Sequence, residues 1–192
     1  PKHATGDNNM RKQHTSTLVL AVLAAVSFQA IAEERICTGT IGPRQLDVIR
    51  VPDNATCTLN GTRANGSVLV GRGASLQANN VRINGNVQAE GALQVTLGAG
   101  SQVGGSVQIK QGGGASITGT RINGDLQFDE NVLPIAASDN TIGGNLQAVK
   151  NFGGLAFYRN IIASGFECKE NAPAPVGGGN SASSKVDQCA GL

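Results

Sequence analysis

The chain has 192 residues, a formal net charge of +2 and an aromatic content of 3%, with no tryptophan. Nucleic-acid recognition generally needs a basic patch together with aromatic side chains that stack on bases, so this composition excludes it as an expected function. The 27 glycines also disfavour long helices.

Residues 10–32 have the three-part pattern of a secretory signal peptide. Met10 is followed by two basic residues, an apolar run extends from Leu18 to Phe28, and a small-residue pattern ends at Ala32. The apolar run is shorter than the roughly 20 residues that span a bilayer, which argues against the alternative of a membrane anchor. We therefore expect cleavage after Ala32, a non-native upstream segment at 1–9, and no membrane span in the mature protein.

Cleavage at that point would change the charge and the available chemistry. Removal of residues 1–32 takes the 15 basic residues to 12 and the 13 acidic residues to 12, which leaves a neutral chain. Both histidines, His3 and His14, are removed as well. A mature chain without histidine cannot build a Ser-His-Asp triad or a histidine-based metal site. We therefore expect no cofactor, no metal site and no catalytic residue of these kinds.

Residues 33–62 are predicted to form an N-terminal cap and first coil. The mature chain has an even number of cysteines, which behind a signal peptide indicates disulfides. Cys37 and Cys57 are 20 residues apart, the period of the repeat that follows, so one coil would place them above one another. We expect a Cys37–Cys57 disulfide.

Residues 63–170 repeat a short motif. The stretch "RINGNVQAEG" at Arg82 returns as "RINGDLQF" at Arg121, and looser copies begin at Arg63, Gln102, Thr141 and Ile161. A marker glycine in the copies lies at Gly66, Gly85, Gly105, Gly124 and Gly144, with Ser164 in the last copy. The steps between these markers are 19 or 20 residues. A fixed period near 20 is typical of a solenoid.

Alternation within each copy predicts a half-buried strand. In the copy at Arg82, Ile83 and Val87 fall on one side, whereas Asn86 and Gln88 fall on the other. The predicted core positions are Ile83, Val87, Val107, Ile109, Ile122, Leu126, Phe128, Ile142 and Leu146. The Asn-Gly pair tolerates positive φ, so we interpret it as a corner before the strand. Each strand would pair with its own copy in the next turn.

A second, looser strand is predicted in the other half of each period. Candidates begin at Thr56, Ala74, Ala92, Ala115, Leu133 and Leu155. The sequence therefore predicts an all-β fold, a parallel β-solenoid of some seven turns with coils of about 20 residues and disulfide-capped ends. We expect it to be right-handed, as parallel crossovers usually are.

The outward positions of the repeat form two predicted surface ladders. One contains Gln88, Gln108, Gln127 and Gln147, and the other contains Asn86, Ser106, Asp125 and Asn145. Amide side chains in such ladders can hydrogen-bond along the stack. The ladders would either stabilise and solvate one face or bind a ligand.

An incomplete basic ladder shares a third position of the repeat. Arg63, Arg82 and Arg121 occupy it, and the other copies hold Gln102, Thr141 and Ile161. These arginines would either pair with nearby carboxylates or meet acidic glycans.

Residues 171–192 are rich in Pro, Gly and Ser and show no pattern for a strand. Cys168 takes an inward position of the last coil, and Cys189 would staple this C-terminal cap over the end of the solenoid. A Cys57–Cys168 pair would join residues about five turns apart, and a metal site of four thiolates lacks short ligand spacing. We expect a Cys168–Cys189 disulfide.

The "GNVQ" and "GNLQ" copies, at Gly85 and Gly144, resemble the small-residue turns of bactofilin-like, polymer-forming solenoids over about Ala64 to Cys168. Bactofilins differ in being typically cytoplasmic and in lacking capping disulfides. The ending "CKENAPAPVGGGN…KVDQC" resembles the tail of a family of secreted bacterial proteins with the same repeat. These resemblances imply a solenoid fold and export, and no activity.

Three function classes fit a secreted β-solenoid. The first is a non-enzymatic surface, matrix or filament component that self-associates into fibres or sheets. The second is a polysaccharide-binding or polysaccharide-cleaving β-helix, for which Asp125, Asp129, Glu130 and Asp139 are the candidate carboxylates. The third is ice binding, which needs aligned threonine rows that this chain does not show. The regular ladders favour the structural class, with a cell-surface glycan as the alternative partner.

Overall fold

The computed structural model describes residues 33–192, so the predicted upstream segment 1–9 and signal peptide 10–32 lie outside the described residues. Within the described part of the chain, no helix is long and apolar enough to cross a membrane. In chain order the strands are β1 (Glu34–Ile36), β2 (Thr40–Ile41), β3 (Gln45–Leu46), β4 (Val48–Val51), β5 (Thr56–Asn60), β6 (Arg63–Ala64), β7 (Val68–Val70), β8 (Ser75–Asn79), β9 (Arg82–Ile83), β10 (Val87–Glu90), β11 (Gln94–Leu97), β12 (Gln102–Val103), β13 (Val107–Lys110), β14 (Gly114–Thr118), β15 (Arg121–Ile122), β16 (Leu126–Asp129), β17 (Ile135–Ser138), β18 (Thr141–Ile142), β19 (Leu146–Val149), β20 (Leu155–Tyr158), β21 (Ile161–Ile162), β22 (Gly165–Lys169), β23 (Val176–Gly178) and β24 (Ser184–Asp187).

The strands form three parallel sheets, one on each side of the solenoid. Sheet A has the order β1-β4-β7-β10-β13-β16-β19-β22-β24, sheet B has β2-β5-β8-β11-β14-β17-β20-β23, and sheet C has β3-β6-β9-β12-β15-β18-β21. Three corners connect them, which we name C–A, A–B and B–C by the sheets that the chain leaves and enters. The parallel β-solenoid is confirmed, with about eight turns instead of the predicted seven.

Sheet C is an addition to the two strands per coil that the sequence predicted. Its strands have two residues each, as in Arg82–Ile83, and a pattern of that length gives no measurable alternation. The second predicted strand of each coil is present as sheet B, and its strands begin within two residues of the predicted starts.

Equivalent side chains of successive coils stack in the core. Leu126 pairs in register with Val107 in the preceding coil and with Leu146 in the following coil. The other predicted core positions are buried in the same way. Three phenylalanines fill the core of the later coils: Phe128 packs on Phe157 with ring centroids 6.1 Å apart, and Phe157 packs edge-on against Phe166 at 5.5 Å. Core burial therefore comes from repetition, because each coil covers the apolar surface of the next.

The first disulfide joins the two N-terminal coils. Residues 33–62 contain strands of more than one coil, from β1 to β5. Cys37 and Cys57 form a disulfide with Cα atoms 5.5 Å apart, the pairing that the one-coil spacing predicts. Both cysteines are buried.

The C-terminal tail is a further coil, so the prediction that it lacks strands is wrong. Residues 171–192 contain β23, which extends sheet B, and β24, which extends sheet A. The prolines at 173 and 175 lie in the A–B corner before β23, where ladder hydrogen bonds are not required of them. Cys168 and Cys189 form the second disulfide, with Cα atoms 5.1 Å apart. The tail is therefore both a coil and a staple.

The Asn-Gly corner does not use positive φ, which corrects the interpretation of the motif. Residues with positive φ lie instead at the other two corners, such as Gly91 and Glu130 at A–B and Asp139 at B–C. Glycine is needed at the C–A corner because successive coils touch there. A Cβ on Gly105 would overlap sterically with Oδ1 of Asn86 in the preceding coil.

Candidate functional site

The corner ladder of Asn86, Ser106, Asp125 and Asn145 links the coils by hydrogen bonds. In each case a side-chain oxygen accepts a hydrogen bond from a backbone N–H of the next coil. Asn86 Oδ1 accepts from the N–H of Ser106 at 2.8 Å, Ser106 Oγ from that of Asp125 at 3.0 Å, and Asp125 Oδ1 from that of Asn145 at 2.7 Å. These side chains are half-buried. The ladder therefore holds the C–A corner together.

The glutamine ladder lies on the outer face of sheet A. Gln88, Gln108, Gln127 and Gln147 pair in register from coil to coil. Gln108 Nε2 donates to Gln127 Oε1 at 2.9 Å, and Gln127 Nε2 donates to Gln147 Oε1 at 3.0 Å. Glu167 continues the row beside Gln147. Because the amides bond to one another, this row supports the stabilising interpretation of the ladders.

A buried asparagine ladder at the A–B corner escaped the sequence analysis. Asn131, Asn151 and Asn171 lie 20 residues apart and are almost fully buried. The Nδ2 atom of Asn131 donates to Oδ1 of Asn151 at 2.9 Å, and it also donates to the carbonyl oxygen of Ile109 at 2.9 Å. Gln188 ends the ladder, because its Oε1 accepts hydrogen bonds from both the backbone and side chain of Asn171. The 20-residue recurrence of asparagine was the signal that would have revealed it.

A second buried ladder occupies the B–C corner. Asn140, Asn160 and Asn180 repeat the same geometry, again 20 residues apart. Asn140 Nδ2 donates to Asn160 Oδ1 at 2.9 Å and to the carbonyl oxygen of Ile117 at 2.8 Å. In the preceding coil the buried Thr120 begins this ladder, and its N–H donates to Asn140 Oδ1 at 2.9 Å. Buried polar groups are thus satisfied along the corner.

The candidate catalytic carboxylates lie at different corners of the solenoid. Asp125 is at the C–A corner, Asp129 and Glu130 are at the A–B corner, and Asp139 is at the B–C corner. Catalysis by paired carboxylates needs both groups on either side of one bond. The four residues are close in sequence, but the fold divides them among three corners, and only Asp129 and Glu130 share one.

Each of these carboxylates also has a structural partner. Asp125 accepts from the backbone of Asn145, as described above. Asp129 lies 3.2 Å from Lys110 Nζ, and Glu130 Oε2 accepts from Gln111 Nε2 at 2.9 Å.

Arg159 binds Asp139 in bidentate fashion, with Nε–Oδ1 and Nη2–Oδ2 distances of 2.7 and 2.8 Å. The hydrogen bonds from this guanidinium lower the pKa of Asp139 below its ordinary value. A carboxylate held in this way is less suited to accept or donate a proton near neutral pH.

The arginine row lies on the outer face of sheet C. Its members pair in the order Gln45, Arg63, Arg82, Gln102, Arg121, Thr141 and Ile161. The ion pairs within residues 33–192 are Arg50–Glu34, Lys110–Asp129, Lys150–Glu170 and Arg159–Asp139. Arg63, Arg82 and Arg121 are in none of these pairs, so the expectation that this row pairs with nearby carboxylates is wrong for the described part of the chain.

The outer face of sheet B carries mostly small side chains. One outward row contains Thr58, Gln77, Thr96, Ser116, Ala136 and Ala156. The last three residues of this row, with Leu133, Pro134 and Val176, line a depression of about 590 Å³. Leu133 and Phe152 are exposed along the adjoining A–B corner, and Val176 is exposed at the start of β23. Contiguous exposed apolar side chains of this kind are typical of interaction surfaces.

Among residues 33–192, no group of three or more histidine, cysteine, aspartate or glutamate side chains is placed to hold a metal ion. The comparisons with family models, curated proteins and solved structures give no match to this chain. The resemblance to bactofilin-like and secreted bacterial solenoids therefore stays a prediction, and the β-solenoid fold rests on the structure itself. Its two disulfides are typical of an oxidising, non-cytoplasmic environment.

Proposed function

We propose that the protein is an exported, non-enzymatic structural β-solenoid, a surface, matrix or filament component. The observation that supports the proposal most is the use of the polar side chains. Asparagine, glutamine, serine and aspartate residues bond from coil to coil at the corners and on sheet A, and the carboxylates are divided among three corners. Catalytic sites gather different groups around one point, whereas this chain repeats the same group along a line.

Self-association through the outer face of sheet B is the second part of the proposal. Small outward side chains such as Ser116 and Ala136 allow two such faces to approach closely. The exposed Leu133, Phe152 and Val176 at its margin would lose contact with water in the contact. A repeating face meets a second copy at many equivalent positions, which strengthens a weak contact.

Association is tested on the purified, disulfide-bonded protein by light scattering and negative-stain electron microscopy. We expect fibres, sheets or discrete oligomers that grow with concentration, and we expect Phe152→Asp to reduce them. Ile161→Asp is the matched control, because Ile161 is as exposed as Phe152, at 61% against 58%, but lies on sheet C. A protein that stays monomeric at all concentrations would overturn the association part of the proposal.

Export is tested by expressing the full chain in cells and isolating the protein from the medium or the periplasm. Mass spectrometry of the secreted or periplasmic protein should show Glu33 as the N-terminal residue. Recovery of the uncleaved chain in the membrane fraction would contradict export as proposed.

The non-enzymatic part is tested by incubation with neutral and acidic polysaccharides. We expect no change in polymer length. Cleavage that is lost in Asp129→Asn would promote the polysaccharide-cleaving alternative instead.

A further inference from the structure

The arginines of sheet C take no part in the coil-to-coil ladders. Arg63, Arg82 and Arg121 are exposed. Elsewhere, the equally exposed Arg50 and Arg159 both pair with a carboxylate of a neighbouring coil. Among residues 33–192, none of the three sheet C arginines forms an ion pair, so they leave a row of positive charge on this face.

An acidic residue close to the start of this row is already engaged. Asp47 lies at the N-terminal end of the sheet C face, where the chain turns towards β4. Its Oδ1 accepts from Asn65 Nδ2 at 3.1 Å, and its Oδ2 accepts from the backbone N–H of Glu33 at 3.3 Å. Arg82 and Arg121 lie further along the sheet, so their charges are not neutralised by Asp47.

A shallow polar groove of about 290 Å³ lies between two of the arginines. Its polar lining comes from Arg82, Asn84, Gln102, Arg121 and Asn123, around Gly104. The motif Arg-Ile-Asn-Gly occurs at Arg82 and again at Arg121. The same pair of Arg and Asn side chains therefore lies at both ends of the groove. Neighbouring strands are about 4.8 Å apart, so the two pairs repeat at about 9.6 Å along the solenoid.

The glycine keeps the centre of this groove open. A Cβ on Gly104 would overlap the backbone carbonyl of Asn84 in the preceding coil. A residue with a side chain therefore does not fit at this position, between Asn84 and Asn123. The result is a channel that runs along the coil axis, with a charged group at each end and amides along one side.

We infer that sheet C binds a linear acidic polysaccharide through the carboxylates of its sugars. A guanidinium binds a carboxylate with two parallel hydrogen bonds, and the amides of Asn84 and Asn123 suit sugar hydroxyls. In a linear polymer of uronic acids, the carboxylates of every second sugar recur at a distance similar to the spacing of the Arg82 and Arg121 pairs. Binding at both pairs at once strengthens the contact.

The observations favour a glycan over a nucleic acid. The outward row of sheet C holds Gln45, Arg63, Arg82, Gln102, Arg121, Thr141 and Ile161, without an aromatic side chain on which bases would stack. The residues 33–192 carry equal numbers of basic and acidic residues, so the attraction is confined to this face. The inference does not rest on self-association, which we place on sheet B.

The test measures binding of the purified, disulfide-bonded protein to fluorescently labelled polygalacturonate at low salt. We expect saturable binding that weakens as salt increases. The double substitution Arg82→Gln and Arg121→Gln should reduce the affinity by about tenfold or more, because each lost group made charge-assisted hydrogen bonds. Glutamine is tolerated at this position of the repeat, since the chain itself places Gln102 there.

The matched control removes the same charge from other faces. Arg35→Gln with Arg72→Gln changes two exposed arginines outside sheet C, and it should leave the affinity within about twofold. Unchanged circular dichroism and thermal midpoint show that each variant is folded.

Three results would overturn the inference: no binding by the unchanged protein, an equal loss in the control variant, or equal binding of methyl-esterified polygalacturonate. Tighter binding of single-stranded DNA, polyphosphate or anionic lipid vesicles would overturn it in favour of those partners. All of these outcomes are independent of the association and cleavage tests above.

Discussion

Asn151 and Asn171 are joined by a buried double contact, in which the backbone N and the Nδ2 of Asn151 both donate to Oδ1 of Asn171 at 2.9 Å. The Nδ2 atom also donates to the carbonyl oxygen of Phe128 at 2.9 Å. One side chain thus connects the coil before it and the coil after it. Because water does not reach this corner, the asparagine is the partner on which these backbone groups depend.

Replacing a buried asparagine should therefore be costly. In Asn151→Ala, the backbone N–H of Asn131 loses the oxygen to which it donates at 3.0 Å, and it stays buried. We expect the free energy of unfolding to fall by about 3 kcal/mol, measured by denaturant titration with the disulfides intact. Asn84→Ala, at an exposed position, is the control and should cost less than about 0.5 kcal/mol. Similar losses in both variants would contradict the ladder's role.

The marker glycine of the corner should resist even a methyl group. A Cβ on Gly105 would displace the Asn86 side chain and its hydrogen bond to Ser106. We expect Gly105→Ala to lower the free energy of unfolding by about 1–3 kcal/mol. Gly178→Ala should be close to neutral, because a Cβ there meets no heavy atom within 4 Å. A larger loss at Gly178 than at Gly105 would show that stacking does not select glycine at the corner.

The core and the outer face of one strand should respond differently to truncation. Leu126 is fully buried between Val107 and Leu146, whereas its neighbour Gln127 points outward. Leu126→Ala should cost about 2–5 kcal/mol, and Gln127→Ala less than about 1 kcal/mol. Thermal and chemical denaturation of both variants would measure the difference. Equal costs would mean that the glutamine row stabilises the coils as strongly as the core does.

The pairing of Asp139 with Arg159 should be visible in a carboxyl titration. Hydrogen bonds from Arg159 lower the folded-state pKa of Asp139, so the pair stabilises the fold above the unfolded-state pKa. That stability is lost as the pH falls through the lowered value. In Arg159→Gln, NMR should show the pKa of Asp139 rise towards its ordinary value. The pKa of Glu34, lowered by Arg50, should stay unchanged, and a parallel rise at Glu34 would indicate a general loss of structure.

The parts of the fold that repeat in apolar character were predictable from the sequence. The strands around Val87, Val107 and Leu126 show alternation, and their 19- or 20-residue spacing predicts their stacking. The first disulfide followed from the same arithmetic, since Cys37 and Cys57 are one coil apart, and the second followed from the position of Cys189 in the tail. Both apolar residues and cysteines that recur at the coil period are expected to stack on one another in a solenoid.

The polar parts of the structure were less predictable. Asparagine is common in exposed loops, so nothing in the sequence around Asn151 and Asn171 indicates burial. These residues are buried only because the A–B corners of successive coils stack on one another. The two-residue strands of sheet C are too short to alternate, and Ser184–Asp187 pairs with sheet A although three of its four residues are polar. These strands form because their backbones pair with the preceding coil, and backbone pairing does not require a pattern of apolar residues. Whether the arginines of sheet C have ion-pair partners likewise depends on where the fold places the carboxylates.

The two disulfides each join a coil to its neighbour, and no covalent bond crosses the coils between Cys57 and Cys168 except the backbone. A mechanical force on the chain ends would therefore meet covalent resistance only in the first and last coils. The coils between them are held by hydrogen bonds and packing, so they should peel away one at a time. Each release would add about 60–70 Å of extended chain. Single-molecule stretching should show steps of that length, with further release from both ends once the disulfides are reduced, so the molecule would behave as an extensible tether with two reinforced ends.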